Sequence, residues 1–179
     1  MLRTRPLALA IALCLPALLC ATAARADRRT LIRGYEYATQ PQGNLELEIW
    51  NELDIPRGHA SDIALTQRIE LEYGITDHWD VALYHVFADQ GSGESRTYGF
   101  DSWRLEQRYR LLEKGDLPVD LMLYLEIERP RDFTEPWIFE GKLIAERELG
   151  KLGLVGNLIF ERGASTAGEM NFELDLGAR

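Results

Sequence analysis

From residue 45 onward, apolar and polar side chains alternate with a period of two. Leu45, Leu47, Ile49 and Leu53 fall on one side of an extended chain, and Glu46, Glu48 and Glu52 on the other. The alternation recurs over 65–73, 79–87, 103–111, 119–127, 137–149, 152–161 and 170–176. No window of similar length keeps apolar residues at i, i+3 and i+4, so the pattern predicts strands rather than helices. The links between them alternate. Residues 54–63, 88–101, 129–136 and 162–169 are long and polar, residues 74–78 and 113–118 are short, and Gly150-Lys151 forms a two-residue hairpin turn. The expectation is an all-β chain, an antiparallel up-and-down meander of about eight amphipathic strands. Strands of about 9–11 residues are long enough to cross a bilayer when tilted, which makes a transmembrane β-barrel the expected architecture.

Aromatic positions add to this picture. On the apolar face, Tyr73, Trp79 and Tyr109 lie near the short-turn ends, whereas Phe87, Trp103 and Trp137 lie near the long-loop ends. Two bands of rings at opposite strand ends are what two membrane–water interfaces select, although aromatic residues also favour strands in general.

The N-terminus reads as an address. Arg3 and Arg5 precede an apolar stretch from Leu7 to Leu19, and Ala24-Arg25-Ala26 offers a small-x-small cleavage site. That is the layout of a secretory signal peptide over residues 1–26. The apolar stretch is shorter than the roughly 20 residues of a spanning helix, and Leu19 stands where lipidation of Cys20 would want a small residue. Residues 27–43 are then an N-terminal periplasmic lead and residues 44–179 the barrel. An outer-membrane location follows as the expectation.

Charge narrows the partners. The chain has 20 Lys+Arg against 29 Asp+Glu, a net charge of −9. Losing residues 1–26 removes Arg3, Arg5 and Arg25 and no acid, which leaves a net of −12. No nucleic-acid partner is expected, because phosphate binding needs a basic face. The polar strand face carries 16 acids against five bases, Arg68, Arg104, Arg108, Arg110 and Lys142. Eight strands enclose only enough room for side chains, and unpaired buried charge costs several kcal/mol. The imbalance therefore points to a water-filled acidic interior, or to a polar face that is the outside of a soluble protein. Glu126, Glu128, Glu140 and Glu146, with Arg104 and Arg108, are the expected charge cluster of that interior, since rings of like charge bias ion passage.

One hairpin carries a resemblance. In Tyr73-Gly74-Ile75-Thr76-Asp77-His78-Trp79-Asp80-Val81-Ala82-Leu83, a strand ends in Tyr-Gly, a polar turn follows, and an aromatic opens the next strand. This resembles the repeating hairpin of Gram-negative outer-membrane β-barrel proteins, especially the poorly characterised transporter-like group that includes phenol-degradation-pathway proteins. Gly43-Asn44-Leu45-Glu46-Leu47-Glu48 is similar to that group as well. The resemblance implies a porin-like putting of small molecules across the outer membrane, with outer-membrane lipid as surroundings. Such barrels usually close on a strand ending in an aromatic residue, whereas this chain stops at Leu176-Gly177-Ala178-Arg179. The expectation is therefore part of a larger barrel, with a complete eight-stranded barrel of atypical end as the alternative.

No motif carries catalysis. His59, His78 and His85 are scattered, the region after residue 26 has no cysteine, and Asp89-Gln90-Gly91-Ser92-Gly93-Glu94 lacks the alternating ligands of a calcium loop. No metal, cofactor or enzymatic activity is expected. The expected role is passive transport of small solutes, cations among them, or a structural one. The alternatives are a soluble periplasmic barrel or sandwich that binds a ligand with its apolar face turned inward, and a membrane-embedded lipid-modifying enzyme built on His85 with Ser92 and Ser95.

Overall fold

The computed structural model describes residues 34–56, 63–91, 95–164 and 170–179. The expected signal peptide, His59 and Ser92 lie outside them. The elements are all strands: β1 (Leu45–Asp54), β2 (Ala64–Thr76), β3 (Trp79–Gln90), β4 (Thr97–Arg110), β5 (Asp120–Pro130), β6 (Ile138–Leu149), β7 (Leu152–Gly163) and β8 (Met170–Ala178). They form one eight-stranded sheet in chain order, each strand antiparallel to the next, with β1 and β8 at its edges. The meander expected from the alternation is thus the fold.

Register follows the period-two pattern. Leu47 faces Leu71, Leu83 faces Leu105, and Leu123 faces Leu143, so largely apolar rows run across neighbouring strands. These rows point outward: Leu45, Leu47, Ile49, Leu125, Leu158 and Phe172 are all exposed. The polar parity points into the curl of the sheet. Glu70, Glu72, Asp80, Glu106, Glu146 and Asn157 are buried there, together with Met122, Tyr124 and Ile144. A soluble fold in which the apolar rows pack inward is the reverse of this arrangement.

Several boundaries differ from the expectation; β2, for example, runs on to Thr76, so the link expected over 74–78 shortens to Asp77-His78. The strands take up most of the link expected over 88–101, because β3 runs to Gln90 and β4 begins at Thr97. A bulge lets this happen: Val86 faces Ser102 while Phe87 faces Phe100, which leaves Asp101 as the extra residue. Without the bulge Phe100 and Tyr98 would turn inward, and so strict alternation stopped short of them. The link expected over 113–118 extends over 111–119, since β4 ends at Arg110 and β5 starts at Asp120. Trp137 precedes β6 rather than opening it.

Candidate functional site: an acidic interior crossed by the N-terminal lead

The described part of the lead, from residue 34, runs across the interior at the short-turn end. The Asn157 side chain, with its amide oriented to satisfy both bonds, treats Tyr35 as a strand neighbour. Its nitrogen donates to Tyr35 O (3.0 Å) and its oxygen accepts the Tyr35 N–H (3.1 Å). Glu36 pairs with Arg179. The Tyr37 N–H donates to Glu146 Oε2 at 3.0 Å, and the Tyr37 hydroxyl donates to Leu112 O. Farther on, the Gln40 N–H donates to Asp80 Oδ2 (2.7 Å) and the Gln42 N–H to Asp77 Oδ1 (2.9 Å). Gly74 is needed at this crossing, because a Cβ there would lie 2.1 Å from Pro41 O.

The lead therefore consumes part of the acid excess. Wall carboxylates accept the buried Tyr37 N–H and the partly buried Gln40 N–H, which would otherwise lack partners. Tyr35 and Tyr37 fill the space between strands. The Tyr35 ring lies edge-on to Tyr124, with centroids 4.8 Å apart, and Lys142 Nζ sits over both rings, 3.7 Å and 4.1 Å from their centres. Burial pushes both lead phenols above the usual tyrosine range, so they remain neutral hydrogen-bonding groups at physiological pH.

The expected charge cluster is brought together only in part. Arg104 bridges Glu126 and Glu128, 3.2 Å from each, and Glu126 faces Glu140 across β5 and β6. Lys142 holds Glu140 at 2.8 Å, and the Tyr124 hydroxyl donates to Glu126 Oε2 at 2.6 Å. Glu146 is elsewhere, because Lys142 and Ile144 separate it from Glu140 along β6. It takes Arg179 at 2.7 Å and Lys114 at 3.4 Å. Arg108 forms a third group, bonded to Glu72 and 3.0 Å from Asp80 and 3.3 Å from Glu106.

The uncompensated acids inferred from the strand pattern are thus reduced by two bases outside it, Lys114 and Arg179. Hydrogen bonding to Glu148 holds the Lys114 ammonium above the usual lysine range. Tyr84 ties the remaining wall together, its oxygen lying 2.7 Å from Glu70 Oε1 and 2.5 Å from Glu106 Oε2.

On the outer face, Trp79 and Tyr109 are cross-strand partners, and Tyr73 is exposed on β2 near the same end. At the long-loop end Phe87 stacks on Tyr98 (6.3 Å) and meets Phe100 edge-on (6.0 Å). Tyr98 and Phe100 belong to this band although strict alternation places them in a link. Trp103 lies mid-strand in β4 rather than at its end, edge-on to Trp137 at 5.4 Å. Three polar outward side chains, awkward for a lipid-facing surface, satisfy one another: Gln67 Nε2 donates to Asn51 Oδ1 (2.7 Å), and the Tyr98 hydroxyl donates to Gln67 Oε1 (3.2 Å).

The described histidines form no catalytic set. His78 lies in the β2–β3 turn with Nε2 2.7 Å from Glu113, and His85 faces outward with its ring 6.3 Å from that of Phe100. Among the described residues nothing hydrogen-bonds the His85 ring. No group of three metal-binding side chains occurs among them either. No protein-family model matches the chain, and no curated protein or solved structure shows significant similarity to it.

Proposed function

We propose that the chain is an outer-membrane β-barrel protein, with a role in passive small-solute passage or in membrane structure, whose interior is ordered by ion pairs and by its own N-terminal lead. The observation that carries this reading is the inversion of the sheet: charged side chains are buried and leucines are exposed. Water disfavours such a surface, whereas hydrocarbon favours it. Rings near both strand ends and mutual satisfaction of Asn51, Gln67 and Tyr98 support the same reading.

Leu125, more than half exposed mid-strand, provides the test. Leu125→Arg should be nearly silent in a water-soluble protein, but at a bilayer midplane it should cost about 2–4 kcal/mol. The expected result is that the wild-type chain fractionates with outer membranes and needs detergent for extraction, while L125R accumulates unassembled. Recovery of both chains from the soluble periplasm would overturn the proposal.

A bilayer also imposes a condition on β1 and β8, because unpaired strand edges are not tolerated in hydrocarbon. Cysteines at Leu47 or Ile49 on β1, combined with ones at Leu174 or Leu176 on β8, should therefore form disulfides within a chain if eight strands close on themselves. Crosslinks between chains would identify a second copy as the neighbour. Absence of both in the assembled protein would leave other strands as the neighbours of the two edges.

A further inference from the structure

A groove of about 350 Å³ opens on the outer face at the long-loop end of β6, β7 and β8, lined by Phe139, Phe160, Arg162, Gly163, Ala164 and Met170. Its origin lies in the register. Phe139 faces Arg162 and Arg162 faces Met170, while one row closer to the short turns Gly141 faces Phe160. The Phe160 ring occupies the space above Gly141, where a Cβ would lie 2.0 Å from the ring's Cζ. An aromatic laid over a strand glycine in this way leaves room beside Phe139 that a standing ring would fill.

Arg162 is the unexpected residue of this groove. It points outward in an apolar row, is exposed, and its side chain makes no hydrogen bond or ion pair among the described residues. Both cross-strand neighbours are apolar, and the acid beside it in sequence, Glu161, belongs to the inward parity. An outward guanidinium on a lipid-facing surface calls for an anion, and phosphate matches its planar fork of donors.

We propose that this groove is a binding site for one phosphate-bearing membrane lipid, with an acyl chain against Phe139, Phe160 and Met170 and the lipid phosphate on Arg162. The volume is in the range of small-molecule sites, about 300–1,000 Å³. The inference rests on the outer-membrane reading, since only in a bilayer does this face meet lipid continuously.

The test is native mass spectrometry of the detergent-solubilised full chain with added phosphatidylglycerol, and with diacylglycerol of the same chains as the uncharged control. The wild type should retain one phosphatidylglycerol, with occupancy about tenfold above diacylglycerol, as expected for a charge-assisted hydrogen-bonded contact. Arg162→Gln should reduce phosphatidylglycerol to the diacylglycerol level. Gly141→Val, which displaces the Phe160 ring, should lower both. Equal retention of phosphatidylglycerol by wild type and R162Q would overturn the site. Arg162 is exposed and outside the buried network, so R162Q tests the site even if G141V fails to assemble. Membrane fractionation separately decides the reading beneath it: a chain that fractionates with membranes yet shows no charge preference refutes the lipid site alone.

Discussion

Arg108→Met should lower the unfolding free energy by about 3–5 kcal/mol, the range for breaking a buried ion pair by removing one partner. The guanidinium is shared by Glu72, Asp80 and Glu106, contributed by β2, β3 and β4, and all four side chains are buried. Methionine keeps most of the stem volume, so the loss reports withdrawn charge rather than a cavity. Arg68→Met is the contrast. Its bond to Glu52 spans 3.0 Å between side chains about one-third and one-half exposed, and an exposed pair contributes only about 0–1 kcal/mol. Urea titration of the assembled protein in micelles should place the R108M midpoint far below wild type and R68M close to it. Equal midpoints for R108M and wild type would mean that the three carboxylates do not depend on this cation.

Much of this fold is legible in alternation alone. A period of two survives from Leu45 to Leu176 because each strand has one face in the interior and one outside, and a single-residue slip would exchange them. The Gly150-Lys151 turn is equally local, since Leu149 and Leu152 face one another across it. What alternation hides is any departure from strict pairing. The bulge at Asp101 breaks the parity at the point where β4 continues to Thr97, so Tyr98 and Phe100 read as part of a loop.

The interior was less legible than the sheet. Strand parity identifies Glu126, Glu128, Glu140, Glu146, Arg104 and Arg108 as inward, and all six do point inward. It does not say which cross-strand partners each one meets along its strand, so one expected cluster becomes three. Nor does counting charges on strands detect Lys114 and Arg179, which reach the acids from a turn and from the chain end. The lead is the least legible part of the interior. Tyr35-Glu36-Tyr37 has no strand partner visible in the sequence, and the clue to it was indirect: two aromatics in a segment otherwise read as a polar lead, facing a wall with more carboxylates than bases. Those carboxylates serve partly as acceptors for the lead's N–H groups, which reduces the need for the water and counterions that charge counting alone demanded.

Removing the lead's aromatic side chains should change permeation more than altering the wall does. In the proposed barrel, Tyr35 and Tyr37 stand between Tyr124, Lys142 and the Leu112 carbonyl, across the short-turn end of the interior. Y35A/Y37A should therefore raise single-channel conductance in planar bilayers. Truncating the buried Tyr37 and the partly buried Tyr35 also destabilises, by up to about 3–5 kcal/mol each, so assembly is to be checked first by resistance to SDS without heating. In that more open interior, Glu126→Gln and Glu140→Gln together should reduce cation preference, because the upper wall would lose two of the acids that Arg104 and Lys142 only partly offset. The two results answer different questions. An assembled Y35A/Y37A chain that conducts no better than wild type would refute a plugging lead, and the interior would then be closed by the Arg108 and Glu146 networks themselves. That outcome favours a structural role in the membrane over solute passage, and it would leave the lipid site at Arg162 untouched.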